Sequence, residues 1–324
     1  MLFNNKVLVT GANGFVGQAL CEKLAASGVK VSCVVRPLKK TSFDPSRFNL
    51  IAQDLNQDGN YQDILSNVSV VIHLAARVHV MQDQSLNPLQ DFLDINLHGT
   101  LNLAKEAAAA GVKRFVYVSS IKVNGEYTDK RAFTEQDAAN PQDPYAISKW
   151  QGEQALMGLS TETGMEVVIV RPPLVYGPGV KANFLTLLNI VYKSIPLPLG
   201  KIKNRRSMIY VGNLVEALII CATHSRAAGQ TYLVSDNEVI STPELVHRIA
   251  LIFDKPVHIF AFPISMLRFF CKIARKTQAI DRLTESLLID GSKICRDLDW
   301  KPPYAMADGL KETVSWYLQK IKSK

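Results

Sequence analysis

The chain has 324 residues, of which 47% are hydrophobic, and a formal net charge of +8. That balance belongs to a folded globular protein, long enough for one large domain or two unequal lobes, and it excludes a disordered chain. Lys and Arg form no long run and are not interleaved with stacking aromatics, so no nucleic-acid partner is expected, and an anionic small substrate accounts for the positive excess as well. The five cysteines (Cys21, Cys33, Cys221, Cys271, Cys295) are scattered, without a CxxC pair or a metal-like grouping with the six histidines, so neither a disulfide nor a metal is expected. Met1 leads almost directly into an apolar strand without a signal-peptide core, and no uncharged apolar run approaches the roughly 20 residues of a membrane span, so a cytoplasmic protein without a transmembrane segment is expected. Residues 264–276 mix Leu267, Phe269 and Phe270 with Arg268, Lys272, Arg275 and Lys276, which reads either as a helix packed on its own domain or as one resting on a membrane surface.

Short β-branched runs alternate with helical patterns through the first 170 residues. Val7–Thr10 is a strand, Phe15–Ser27 a helix and Val29–Val35 a strand. Further on come a strand at Val70–Leu74, a helix from about Leu93 to Ala110, and strands at Phe115–Val118 and Val167–Val170. Near-continuous apolar strands alternating with helices predict an α/β fold, a Rossmann-like doubly wound parallel sheet covered on both faces. Gly28 and Gly111 stand where a helix ends before a strand. After Arg171 the prolines and glycines of 172–179 and 196–198 break the chain into shorter pieces, which predicts a smaller C-terminal mixed α/β substrate lobe. The expected division is 1–171 with returning segments near 207–235 for the dinucleotide-binding domain, and 172–206 with 236–324 for the substrate-binding lobe.

The loop Thr10-Gly11-Ala12-Asn13-Gly14-Phe15-Val16-Gly17 follows the first strand and opens the first helix. In that context glycines permit a tight turn, close approach of backbone to a pyrophosphate and close helix packing, which marks a dinucleotide site with GxxGxxG spacing. Where the second strand ends, an acidic residue normally takes the ribose hydroxyls of NAD, but Arg36 stands there, followed by Lys39 and Lys40. NADP(H) is therefore favoured, with NAD(H) as the alternative, unless Arg36 belongs to a basic surface loop. Asp54 is placed either to bond an adenine edge or to sit in a solvated turn.

Tyr145 and Lys149 lie one turn apart on a helix that Asp143 caps and Pro144 begins, so they share a face about 6 Å apart along the axis. A tyrosine with its ordinary pKa of about 10 is a poor acid or base near neutrality, and an adjacent ammonium lowers it by favouring the phenolate. With Ser119-Ser120 at a strand end, the set suits hydride transfer at a secondary alcohol.

These motifs together resemble the extended short-chain dehydrogenase/reductase family, in its nucleotide-sugar epimerase, dehydratase and reductase branch. The resemblance covers nearly the whole chain and takes in Ile72–Ala76, Asn96, Gly99-Thr100, Arg171-Pro172, Val175–Gly179, Arg206, Tyr210-Val211 and Leu298–Pro302. It implies Ser120, Tyr145 and Lys149 as the catalytic set. Gly11, Asn13, Gly14, Phe15, Val16, Gly17, Leu55, Leu74, Ala75, Ala76, Asn96, Val118 and Pro172 would surround the cofactor, with Tyr145 and Lys149 touching it as well. Arg77, Ser119 and Ser120 would meet the sugar, and Asn183, Arg206 and Arg282 would grip the diphosphate, although Asn183 also reads as a helix cap and Arg206 as a surface arginine. Residues 76–81, 119–126 and 171–176 look most like the bacterial UDP-N-acetylquinovosamine 4-dehydrogenases, which implies reduction of a UDP-4-keto-6-deoxy-GlcNAc for surface-polysaccharide synthesis. A UDP-hexose 4-epimerase is the first alternative and a non-catalytic NADP-binding regulator the second. A homodimer packed through the helices at 96–110 and 145–163 is expected from the same resemblance. Dehydratases carry an acidic pair after the second serine, and Ile121-Lys122 stand there instead.

Overall fold

In the computed structural model, residues 6–37, 43–44, 46–78, 86–273 and 277–323 are described, apart from the side chains of residues 270, 271, 273, 277–279 and 282. Lys39, Lys40 and residues 79–81 therefore lie outside the described residues. The strands are β1 (Lys6–Thr10), β2 (Val31–Val35), β3 (Asn49–Ala52), β4 (Val68–His73), β5 (Arg114–Val118), β6 (Glu166–Arg171), β7 (Leu174–Tyr176), β8 (Arg206–Tyr210), β9 (Thr231–Leu233) and β10 (Val239–Ile240). The helices through the middle of the chain are α1 (Phe15–Ala26), α2 (Gln62–Leu65), α3 (Pro88–Leu93), α4 (Thr100–Ala109), α5 (Pro144–Thr163), α6 (Ala182–Tyr192) and α7 (Val211–Thr223). The rest are α8 (Thr242–Phe253), α9 (Ile264–Ile273), α10 (Thr277–Thr284), α11 (Ser292–Leu298) and α12 (Met306–Lys322).

Every residue of β2 and β4 is buried, as the apolar runs require of strands covered on both faces. Seven parallel strands form the main sheet in the order β3-β2-β1-β4-β5-β6-β9. The order reverses between β1 and β4, and the carboxyl ends of those two strands mark the switch point where ligands of such sheets bind. Gly28 and Gly111 adopt φ of 76° and 78° after their helices, the left-handed conformation that lets the chain turn back into a strand.

A smaller sheet, β10-β8-β7, carries the second core, in which Tyr176, Phe184, Met208, Ile249 and Leu310 meet. The returning segment divides: α7 packs on the first core and β9 joins the main sheet, whereas β8 goes to the smaller sheet. Ile294, Leu298 and Trp300, far along the chain, also pack into the first core. Asp236 ties the lobes by accepting hydrogen bonds from the Tyr176 hydroxyl (2.8 Å), the Tyr210 N–H (3.1 Å) and Asn213 Nδ2 (2.7 Å).

The helix expected from Leu93 to Ala110 is interrupted. Residues 94–99 form a π-helical segment between α3 and α4, where Gly99 lies against the Leu55 carbonyl and a Cβ would come within 3.0 Å of it. The widened turn aims Asn96 inward, a common use of such bulges. In α5 the expected ends are found: Asp143 accepts from the Ala146 N–H at 2.7 Å, Pro144 opens the helix, and Gly164 closes it at φ 76°.

Glu153 of α5 and Arg171 at the end of β6 are a buried pair, with Nε to Oε1 at 2.9 Å and the Arg171 Nη1 donating to Asn124 Oδ1 at 3.0 Å. Removing one partner strands the other charge in the interior. Glu153→Ala should cost about 3–5 kcal/mol of unfolding free energy in urea titrations, and Glu153→Ala with Arg171→Met should recover much of the loss.

Candidate active site

Phosphate-loop geometry follows from the glycines. Gly11 has φ of 66°, and a Cβ there would lie 2.8 Å from the Ala75 nitrogen, so the turn after β1 presses against the chain leaving β4. A Cβ on Gly17 would stand 2.3 Å from the Gly11 carbonyl, which brings α1 in against its own loop. Gly14 caps α1 with no side-chain bond and no acidic residue follows in the first turn, leaving that end of the helix suited to an anion. Asn13 Nδ2 is buried without a hydrogen-bond partner among the described residues. These features fit a dinucleotide pyrophosphate. Phe15 packs on the second core, so the loop also contacts the other lobe.

Around the cradle, Leu74 donates its N–H to the Thr10 carbonyl (3.3 Å) and Ala75 to Thr10 Oγ1 (3.2 Å). Arg36 directly follows β2 with its side chain exposed. Asp54 is exposed as well, its carbonyl taking the Tyr61 hydroxyl at 3.4 Å, while Leu55 packs on the core beneath α4. Val16 packs on the first core, and Pro172 is buried, its carbonyl accepting from the Ile121 N–H at 3.0 Å. Ala76 is half-buried on the chain leaving β4.

Asn96 locks this chain to α5. Its Oδ1 accepts from the Arg77 N–H (2.8 Å), and its Nδ2 donates to the Arg77 carbonyl (3.0 Å) and to Ser148 Oγ (2.9 Å). Its contribution near the cofactor is thus to hold backbone in place. His73, whose role the sequence reading left unassigned, spans Thr10 Oγ1 (2.8 Å) and Thr100 Oγ1 (3.0 Å) and stacks on Tyr117. Burial, with Lys149 nearby, pushes its imidazole down to about 3.

Tyr145 and Ser120 share a hydrogen bond, and Lys149 reaches from the same helix to the Val118 carbonyl at 2.8 Å, over the Tyr117 ring at 4.4 Å. The expected lowering of the tyrosine is not what this site gives. Burial, reinforced by the Asp143 charge and opposed by the Ser120 bond, pushes Tyr145 up to about 12. Lys149 is itself forced down to about 7 by burial, against the pull of Glu153. Desolvation outweighs the ammonium because both groups are out of water.

Beside Tyr145 opens a cavity of about 320 Å³. Ser120, Tyr145, Asn183 and Arg206 all line it, so the expected catalytic and diphosphate-gripping residues come together. Lys181, not Asn183, is the cap residue of α6, and Arg206 Nη1 donates to the Glu285 carbonyl at 3.1 Å. Arg282 lies on α10, its side chain outside the described residues, next to the lining residue Leu283. Arg77 and Ser119 do not line the cavity. Arg77 pairs with Asp91 at 3.1 Å over the Phe92 ring, and Ser119 Oγ is buried without a partner while its N–H bonds the Val170 carbonyl. Tyr176 is locked in the second core by Asp236.

Two lining residues were missed. Lys122 Nζ lies 2.6 Å from both Glu126 Oε1 and Asp143 Oδ2, and Lys122 and Glu126 both face the cavity. Their i,i+4 spacing was the available signal. The apolar wall of Leu174, Phe184, Leu187, Met208, Leu245 and Leu287 had none, because it is gathered from four elements and the segment after α10. A larger, more open depression of about 440 Å³, lined by Lys6, Lys30, Arg47 and Asn49, sits at the opposite ends of the strands from Tyr145. Among the described residues no group of three or more His, Cys, Asp or Glu could hold a metal ion, and no helix is long and apolar enough to cross a membrane.

The sequence profile of the NAD dependent epimerase/dehydratase family matches residues 7–235. A UDP-glucose 4-epimerase of Vibrio cholerae is 42% identical over 316 residues, covering 97% of this chain and 95% of its own. A dTDP-glucose 4,6-dehydratase of Streptomyces griseus is 28% identical over 96% of this chain and 93% of its own. Among solved structures, MoeE5 in complex with UDP-glucose and NAD superimposes with a TM-score of 0.77 at 25% identity, over 98% of this chain and 99% of that one.

His73 binds its extra proton only in the unfolded chain between pH 6.5 and about 3, so stability falls as pH drops through that window. The loss should reach about 2 kcal/mol at pH 5 in urea unfolding, relative to pH 7.5. In His73→Asn this component of the acid dependence should vanish.

Proposed function

Because the chain belongs to the NAD dependent epimerase/dehydratase family, we propose that it interconverts C4 epimers of a UDP-hexose, with UDP-glucose the first substrate to test, in place of the net 4-reduction that the resemblance implied. The observation that carries the reading is the cavity, in which Ser120 and Tyr145 face Asn183 and Arg206 across largely apolar walls. The 42% identity to the Vibrio cholerae UDP-glucose 4-epimerase supports the choice of substrate and reaction.

A nicotinamide cofactor, when bound, supplies the acceptor and then the donor of the C4 hydride, and in its oxidised form a positive charge beside the catalytic helix. Tyr145 takes the C4 hydroxyl proton as the hydride leaves and returns it when the hydride comes back to the other face. Ser120 adds a hydrogen bond where negative charge gathers on the sugar oxygen. Lys149, fixed by the Val118 carbonyl, is positioned to hold the ribose of the cofactor. Asn183 and Arg206 hold the diphosphate remote from C4, so the keto sugar can turn while its anchor stays in place. Leu174, Phe184 and Leu187 offer the turning ring no hydrogen bonds that would fix one face. A 4,6-elimination is disfavoured, since the residue after Ile121 is a lysine already engaged by two carboxylates.

One observation keeps the reductase as a second reading: Arg36 stands where an acid would take the NAD ribose, which favours an exchangeable NADP(H). For the dimer, we propose the face of α4 and α5 where Leu101 and Met157 remain half-buried.

Purified protein with UDP-glucose should produce UDP-galactose without growth of the reduced-nicotinamide absorbance. Sustained growth with UDP-N-acetylquinovosamine and NADP⁺, and no interconversion, would replace epimerisation with the reductase. Tyr145→Phe should lower kcat by roughly 10²–10⁴ with little change in KM, since its proton transfer belongs to the transition state. Unchanged turnover in that variant would remove Tyr145 from the mechanism.

A further inference from the structure

The positive charge of the chain is concentrated. Residues 192–206 and 254–276 hold ten of the 37 Lys and Arg but only one of the 29 Asp and Glu, so the other 286 residues carry 27 basic and 28 acidic side chains and are almost neutral. The fold joins the two stretches through residues 197–200 and 258–260. Leu197 donates to the His258 carbonyl (2.8 Å), Phe260 to that of Leu197 (3.0 Å), and Gly200 to that of Phe260 (3.0 Å). Lys201 and Lys203 thus emerge, exposed, beside Phe260.

Large apolar groups are exposed on Phe260 and on the helix that follows it in the chain. Phe260 is 47% exposed, Met266 47% and Phe269 61%. On α9, Ile264 and Leu267 form the half-buried row, and Met266, Phe269 and Lys272, also three residues apart, form the outer row. Arg268 is engaged by Glu285 and lies 3.9 Å from Asp281, which leaves Lys272 as the outward cation among the described side chains of the helix. Apolar side chains bordered by lysines, on a helix with one half-buried row and one exposed row, form the pattern that enters a bilayer interface while its cations meet anionic headgroups.

We propose that the face formed by α9 and the paired segments 197–203 and 258–260 docks this protein onto an anionic phospholipid surface. A pocket for the nucleotide would need converging donors, but these lysines are spread along an outer face, while Arg206 already serves the cavity. The choice of lipid over a polyanion such as RNA rests on Met266 and Phe269, which present apolar surface and no stacked aromatic groove. Because α9 packs on α10, whose Leu283 lines the cavity, docking sets the substrate site one helix from the membrane surface.

Sedimentation of the full chain with extruded vesicles tests this. The protein should pellet with phosphatidylglycerol/phosphatidylcholine vesicles, stay in solution with pure phosphatidylcholine, and be released from the first by raised salt. Lys201→Gln with Lys203→Gln should weaken partitioning about 25-fold, at about fivefold per cation. Met266→Asp with Phe269→Asp should weaken it at least tenfold. Unchanged thermal unfolding of both variants would show that the loss is one of docking. Absence of partitioning by the wild type, equal partitioning of wild type and variants, or a patch whose mutation instead changes oligomeric state or RNA binding would overturn the proposal.

Discussion

Burying the amine of Lys149 is the constraint around which the catalytic half is built. An ammonium out of water needs partners, and it finds the Val118 carbonyl and the face of Tyr117. For the helix to come that close, position 152 must be glycine, since a Cβ would meet the Tyr117 hydroxyl at 2.7 Å and the Asn96 carbonyl at 2.9 Å. One turn on from Lys149, Glu153 is buried too, and is neutralised by Arg171 at the end of β6. Before Leu156 and Leu159 join the core, the buried face of α5 therefore carries three polar groups, and each is matched: Ser148 by Asn96, Lys149 by Val118, Glu153 by Arg171.

That arrangement explains which parts were legible in the sequence. α5 was read from its caps and the Tyr-Lys spacing, because a helix that buries lysine and glutamate carries no clean apolar stripe. The sheet was legible because β2 and β4 are buried on both faces and must be apolar throughout. The glycine loop announced itself through steric necessity at Gly11 and Gly17. The π segment was invisible: its residues have helical composition, and the break arises from the approach of Leu55 to Gly99, 44 positions apart. Long-range assembly likewise hid the apolar wall and the insertion of Lys122 between Glu126 and Asp143. The resemblance identified the chemistry shared by the whole branch but could not separate net reduction from epimerisation, because the residues expected to catalyse both are the same.

Charge behaves differently here from what one-dimensional spacing implies. Placing a lysine one turn from a tyrosine suggests a lowered phenol, yet Tyr145 is raised to about 12 and Lys149 depressed to about 7. Each group is perturbed chiefly by the loss of water and only secondarily by its charged neighbours. The protein alone thus favours a neutral tyrosine, the form that gives up a proton. In the proposed epimerisation, taking a proton from a sugar hydroxyl would require additional positive charge in the site, which an oxidised nicotinamide would supply.

The division into lobes then acquires a physical purpose. Chemistry is held rigidly on the main sheet, where Ser120, Tyr145 and Lys149 stand on elements locked by Asn96 and the Glu153–Arg171 pair. In the proposed reaction anchoring would fall to the smaller lobe, where Asn183 is the second residue of α6 and Arg206 is steadied by the Glu285 carbonyl. Phe15, rising from the phosphate loop into the second core, and Asp236, joining Tyr176, Tyr210 and Asn213, fix the distance between the two functions. Under the proposed reading, a substrate held at its diphosphate by one lobe and processed at C4 by the other would need no tight grip on the sugar ring between them. Apolar walls satisfy that condition, because they exclude water from the reacting centre without imposing an orientation on the hydroxyls.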